Sequence, residues 1–273
     1  MTVLDVKDLS FHYGDKTVLD HVSFSLDKGD IVGLIGNNGA GKTTLMKVVS
    51  GILPSHGGTV DLKTESVGAL IEEPALYPYM SVIENLYFYC RLYGRSYDVL
   101  DEFKDALGVS TYLNNRVSRL SLGMRQRVGL FIALIASNEF ILLDEPTNGL
   151  DPTGIEDLLQ LIKRLAKDYG LTFIISSHIL QNLEQICNKN FLLRNGHLQQ
   201  LDDEDHMRYT ISSFDVSPKD LVEILKKHNL SYEQKDADII VGNLAVVEEV
   251  FKTEGVTIQS KRLGLSEVFF HAE

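Results

Sequence analysis

The segment Gly36-Asn37-Asn38-Gly39-Ala40-Gly41-Lys42-Thr43 constrains this chain more than any other stretch, because of what flanks it. Ahead lies Ile31-Val32-Gly33-Leu34-Ile35, a continuous apolar run of the kind a strand shows when both its faces are covered. Behind it, Leu45, Val48, Val49 and Ile52 recur at helical spacing. A strand, a glycine loop and a helix in that order turn successive backbone amides inward at the positive end of a helix dipole, which makes an anion site. Lys42 adds a positive charge suited to β- and γ-phosphates, and the Thr43 hydroxyl is a hard oxygen suited to Mg2+.

A metal-bound phosphate chain needs carboxylates nearby, and Phe140-Ile141-Leu142-Leu143-Asp144-Glu145 supplies two at the C-terminal end of an apolar strand. That end is where open α/β sheets bind ligands. Asp144 is expected to hold the Mg2+ shell, directly or through water, and Glu145 to polarise an attacking water as general base.

The rest of the chain organises around this pair of motifs. Val22, Phe24 and Leu26 alternate with Ser23 and Ser25, and residues 3–11 read similarly, so the first 30 residues are expected to form an antiparallel β layer. Residues 80–136 contain no convincing strand. There Ser81-Val82-Ile83-Glu84 matches a capping box, and Gly94 suits the end of the helix it opens. Apolar strands at 140–143 and 171–176, separated by a helix around 155–167, restore an alternating β and α order and predict a mostly parallel sheet. Asn195-Gly196 marks a type I′ hairpin, and Asp202-Asp203-Glu204-Asp205 marks a boundary between domains at 1–204 and 205–273. In the tail the pattern predicts strand 209–214, helix 218–228, strands 230–235 and 237–241, helix 244–253 and strand 256–261. That is the βαββαβ order of a ferredoxin-like α+β module.

Composition narrows the partners. The chain has 273 residues, 44% apolar and 23% charged, enough for a sizeable core and unlike a disordered or fibrous chain. Its 38 acidic and 26 basic residues leave a net charge of −12, the wrong sign for a nucleic-acid partner. Cys90 and Cys187 form no CxxC and read as buried spectator thiols in a reducing compartment. The longest strongly apolar stretch, residues 128–136, ends at Ser137-Asn138-Glu139, short of the roughly 20 residues that span a bilayer, so the chain is not expected to cross one.

With both acidic and glycine motifs in place, residues 3–200 resemble the nucleotide-binding subunit of an ATP-binding-cassette (ABC) transporter. The resemblance implies a P-loop NTPase core of α/β class, with an antiparallel β layer and a helical subdomain at 80–136. It implies ATP and Mg2+ as ligands, with ATP held by residues 36–43 and Thr44 and hydrolysed. Leu120-Ser121-Leu122-Gly123-Met124 stands in the place of the family signature, so Ser121, Leu122, Gly123 and Met124 are implied to read the γ-phosphate of ATP held by a second copy, head to tail. A Ser hydroxyl, a Gly amide and a helix N-terminus do together suit an anion. Asn148-Gly149-Leu150-Asp151-Pro152 resembles the D-loop, which crosses the dimer seam. Likewise His178 resembles the switch histidine on the γ-phosphate, and Tyr13 the aromatic that stacks on adenine. A separate membrane permease, docked at the cytoplasmic face of the membrane, is implied as partner. The aromatic stretch Leu76, Tyr77, Tyr79, Tyr87, Phe88, Tyr89 and Tyr93 falls where the family receives a permease helix, with some of these rings expected to be buried.

The pattern departs from the family twice. Glu72 occupies the place of a Gln that touches Mg2+ and the attacking water, so it is counted with Thr43 and Asp144 as a metal-sensing residue that alters hydrolysis. Leu122 and Met124 replace a Gly and a Gln of the signature. These details and the tail resemble the bacitracin and lantibiotic resistance branch of bacterial exporters, which implies export of, or resistance to, antimicrobial peptides. Two other readings fit the same motifs: a soluble ABC ATPase not coupled to transport, and a poorly hydrolysing regulatory cassette, the latter drawn from Glu72 and Met124.

Overall fold

A computed structural model describes residues 1–177, 179–201, 207–213, 217–227, 232–235, 238–241 and 256–262. The chain divides into two compact units, Met1–Gln200 and Leu201–Glu273. The first opens with strands β1 (Thr2–Tyr13), β2 (Lys16–Asp27) and β3 (Ile31–Ile35), followed by helix α1 (Lys42–Val49), β4 (Gly57–Leu62) and β5 (Gly68–Leu70). A helical stretch holds α2 (Val82–Leu92), α3 (Asp98–Phe103) and α4 (Leu122–Ala136). Then come β6 (Phe140–Asp144), α5 (Pro152–Tyr169), β7 (Thr172–Ser176), α6 (Leu180–Glu184), β8 (Lys189–Arg194) and β9 (His197–Leu201).

Two sheets form in this unit. One is antiparallel with order β2-β1-β4, and the other has six strands in the order β5-β6-β7-β3-β8-β9. From β5 to β8 every neighbouring pair of the second sheet is parallel. Its central strands β3, β6 and β7 are buried at every residue, as their unbroken apolar runs require when both faces are covered. β6, β7 and β3 lie side by side, so Asp144, Ser176 and the loop after Ile35 emerge together at one edge. That edge is where ligands bind in such sheets. The core takes in Leu4, Leu9, Leu19 and Leu26 of the antiparallel sheet, Leu45 and Met46 of α1, and Leu142, Ile174 and Phe191 of the parallel one.

Several expectations carry over with changes of detail. Ser81 caps α2 in a reciprocal box with Glu84, and Gly94 has φ 64 just past the helix end. Asn195 and Gly196 both have positive φ between β8 and β9, the backbone of a type I′ turn. Among the described residues of 80–136, only an isolated bridge between Ser81 and Arg116 has strand character. In contrast, α1 stops at Val49: Gly51 takes φ 76, a left-handed conformation that ends the helix, and Ile52 lies beyond it, 60% exposed. β4 and β5 were not expected from the sequence.

The second unit contains β10 (Met207–Ser213), α7 (Pro218–Lys227), β11 (Tyr232–Lys235), β12 (Asp238–Val241) and β13 (Val256–Arg262). Its strands pair antiparallel in the order β11-β12-β10-β13. The acidic boundary 202–205 and the expected helix 244–253 lie outside the described residues. Among the described residues, no helix is long and apolar enough to cross a membrane. Neither cysteine is in a disulfide: Cys90 is buried on α2, whereas Cys187 is only partly buried rather than buried as expected, and desolvation pushes both thiols up from their ordinary range.

Candidate functional site

The glycine loop leaves β3 and enters α1 through backbone that other residues rarely adopt, with φ 81 at Gly39 and 108 at Gly41. An Ala40 N–H to Asn37 carbonyl bond of 3.0 Å tightens the turn that also carries Asn38, and Leu45 N–H closes the first helical bond onto Gly41. Gly36 serves closeness rather than rotation. A Cβ there would come within 2.6 Å of the Leu193 carbonyl on β8. Lys42 is buried, and its Nζ donates to the Gly36 carbonyl at 2.7 Å and the Asn37 carbonyl at 3.4 Å. These neutral acceptors are weaker partners for an ammonium than a phosphate oxygen would be. Thr44, next along α1, is buried.

The carboxylates arrive from the end of β6, two strands away from β3 with β7 between. Thr43 Oγ1 donates to Asp144 Oδ2 at 2.6 Å, and Glu145 Oε1 stands 3.9 Å from Lys42 Nζ. Ser176, the last residue of β7, donates its hydroxyl to Asp144 Oδ1 at 2.5 Å and accepts the Glu145 backbone N–H at 2.9 Å. One hydroxyl therefore fixes the side chain of the first acid and the backbone of the second. Glu145 itself has φ 49, an uncommon conformation for a non-glycine residue, held in place by this support. Ser176 was missed from the sequence. Its signal is a polar residue closing an otherwise apolar strand beside the two acids.

The remaining candidates divide. Glu72 follows β5 with φ 66 and pairs with Lys47 on α1 at 2.7 Å. The Glu72 bond is the main cause that raises the Lys47 pKa above its ordinary value, with Tyr13 and Asp144 adding to it. Tyr13, at the end of β1, is 52% exposed and stands edge-on to Phe11. Its ring is thus offered to solvent rather than built into the core. Ser121 caps α4, its hydroxyl accepting the Met124 N–H at 3.3 Å, while a Cβ added at Gly123 would meet Leu150 Cδ2 at 3.6 Å, an ordinary contact. Leu122 packs towards Gly149 and lines, with Glu72, Gln126, Asp144, Glu145 and Asn148, a cleft of about 830 Å³. Asp151 is the residue before α5, with Pro152 opening that helix. His178 lies outside the described residues.

This donor set fits a triphosphate with Mg2+. Thr43 and Asp144 offer hard oxygens that already meet, and among the described residues no cluster of three or more His, Cys, Asp or Glu side chains could hold a metal alone. A metal taken by one or two protein oxygens with phosphate completing its shell is the arrangement typical of Mg2+.

Known proteins are similar to this chain in sequence and in fold. The pattern of the family described as ABC transporter matches residues 19–148. The bacitracin transport ATP-binding protein BcrA of Bacillus licheniformis is 34% identical over 219 residues, which cover 76% of this chain and 72% of BcrA. The lantibiotic transport ATP-binding protein SrtF of Streptococcus pyogenes is 37% identical over 196 residues, 68% of this chain and 84% of SrtF. A solved structure described as the ATP binding subunit of an ABC transporter matches with a TM-score of 0.65 at 30% identity, over 74% of this chain and 91% of that one. The fold and the site define an ATP-binding cassette. The chain belongs to the family of ABC transporter ATP-binding proteins, whose members bind and hydrolyse ATP and work with membrane permeases.

Proposed function

We propose that this chain hydrolyses Mg-ATP to power a separate membrane permease that exports, or gives resistance to, antimicrobial peptides, working from the cytoplasmic face of a bacterial membrane. The observation that carries the ATPase part is the convergence of Lys42, Thr43, Asp144 and Glu145 through the 2.6 Å Thr43–Asp144 bond and the 3.9 Å Lys42–Glu145 approach. The peptide part is supported by the names of two relatives, a bacitracin and a lantibiotic transport protein.

Mg2+, when bound, neutralises phosphate charge as the terminal phosphoryl group is transferred. Thr43 and Asp144 are the residues that would hold it, with Glu72 close by. Lys42 exchanges its loop carbonyls for phosphate oxygens, and residues 36–44 wrap the chain's amides around them. Glu145 takes the proton of the attacking water, while Ser176 keeps that carboxylate's backbone and the Asp144 side chain in register. Tyr13 stacks on the base. A second copy supplies Ser121, Leu122, Gly123 and Met124 to the exposed end of the nucleotide; Asp151 serves the dimer seam, and His178 joins Glu145 as a catalytic residue by hydrogen-bonding the γ-phosphate. On the helical subdomain, Tyr87, Phe88, Leu92 and Tyr97 line a groove of about 870 Å³ suited to a permease helix. Tyr89 instead is buried with its hydroxyl on the Ala75 carbonyl. The second domain, 205–273, is read as ferredoxin-like: the β11-β12-β10-β13 order is the one a split βαβ pair produces.

Equilibrium binding of a fluorescent ATP analogue tests the site. Lys42→Ala is expected to lower affinity by about 100-fold or more while the fold persists, as loss of a charge-assisted phosphate contact implies. Binding equal to that of the unaltered chain would show that this loop is not the nucleotide cradle.

A further inference from the structure

The Glu72 carboxylate lines the same cleft as Asp144 and Glu145, beside a site that gathers phosphate charge. It has a partner: Lys47 Nζ donates to Glu72 Oε1 at 2.7 Å. Lys47 lies four residues beyond Thr43, on the same face of α1 and one turn further along. The pair therefore ties the helix that carries the metal-side hydroxyl to the loop that leaves β5. Backbone conformation adds a second restraint, since Glu72 at φ 66 is turned into the left-handed region, uncommon for a long side chain. The Lys47 side chain is 28% exposed and that of Glu72 67%, so the ammonium is the anchored member of the pair.

We propose that Lys47 is a positioning residue that holds the Glu72 carboxylate out of the metal's coordination shell, so that Glu72 reaches the metal only when this pair opens. This rests on reading the site as one for Mg-ATP. While the pair is closed it presents no net charge to the phosphates. When it is open, Glu72 becomes a free carboxylate oxygen, a strong ligand for a hard divalent ion. Lys47 thus sets how a cassette with Glu at this position behaves.

The test uses Mn2+ as the probe, titrated into the full chain with ADP, with free Mn2+ read by electron paramagnetic resonance. Lys47→Met is expected to tighten Mn2+ by about three- to fivefold, the range that a partly exposed ion pair spans. Lys47→Gln is expected to follow it. Glu72→Gln and the double variant Lys47→Met with Glu72→Gln should stay near the unaltered chain, and Lys47→Arg, which keeps the pair, should restore ordinary affinity. If Lys47→Met shifts Mn2+ affinity equally with Glu or Gln at position 72, Lys47 acts through its own charge and the clamp is wrong. No tightening in either background overturns it as well. Failure of the unaltered chain to bind ADP and Mn2+ at all would overturn the reading of the site together with the inference. Binding without coupling overturns the inference alone.

Discussion

A single added carbon at position 36 separates two reasons for a glycine. Gly39 and Gly41 need positive φ, the role that a phosphate-binding loop assigns to glycine. Gly36 is required by contact, since a Cβ would lie 2.6 Å from the Leu193 carbonyl and 3.1 Å from Ala40 Cβ. Backbone cannot yield as a flexible side chain would. Gly36→Ala is therefore expected to lower folding stability by about 1–3 kcal/mol, the usual range for overpacking, as measured by chemical denaturation without nucleotide. An unchanged midpoint would mean that β8 gives way. The motif itself was legible in the sequence because residue identity and spacing carry it, and so were Asp144 and Glu145 at a strand end. Ser176 and Lys47 were not, because each works through a partner more than 20 residues away and only the β6-β7 register or the β5 loop brings them together.

Elements were readable where their signals are local. The α2 cap is one such case: the Ser81 hydroxyl accepts the Glu84 N–H, while Glu84 Oε2 accepts the Ser81 N–H at 2.7 Å. The bond from the Ser81 N–H first, and then a 2.8 Å bond that the Ser81 hydroxyl donates to the same Oε2, hold the Glu84 carboxyl below its ordinary value of 4.5. Ser81→Ala is expected to cost about 1 kcal/mol of stability near neutral pH. A depressed carboxyl pKa gives stabilisation that is complete above the unfolded value and lost as pH falls through the folded one. Ser81→Ala removes only the bond from the hydroxyl to the carboxylate, so the gap to the unaltered chain should narrow by that share as pH falls below the ordinary carboxyl range, as read by urea titration at neutral and at acidic pH. A gap independent of pH would argue that the hydroxyl acts alone. Non-local elements escaped. β5 is only three residues long and its first, Gly68, lies where a Cβ would be 2.1 Å from the Ala133 carbonyl of α4, a packing relation no local pattern announces. In β1, Asp8 at φ 51 breaks the alternation between Val6 and Leu9, so the strand runs further than its period suggests.

At the scale of the whole molecule, each copy carries the glycine loop and acids at one edge of the parallel sheet and the Ser121 cap at the start of α4. Head-to-tail pairing across ATP would complete both sites at once, and hydrolysis would then report on the dimer as well as on the chain. Glu145→Gln keeps the shape of the side chain and removes its proton affinity, so it separates binding from turnover if Glu145 is the proposed base. The decisive measurement is phosphate release and sedimentation of this variant and of the unaltered chain, each with Mg-ATP. The expected result is a variant that binds ATP, sediments as a dimer and turns over about 100-fold or more slowly, the range a general base contributes. Turnover close to that of the unaltered chain would contradict the assignment of Glu145 and, with it, the catalytic convergence at the ends of β6 and β7.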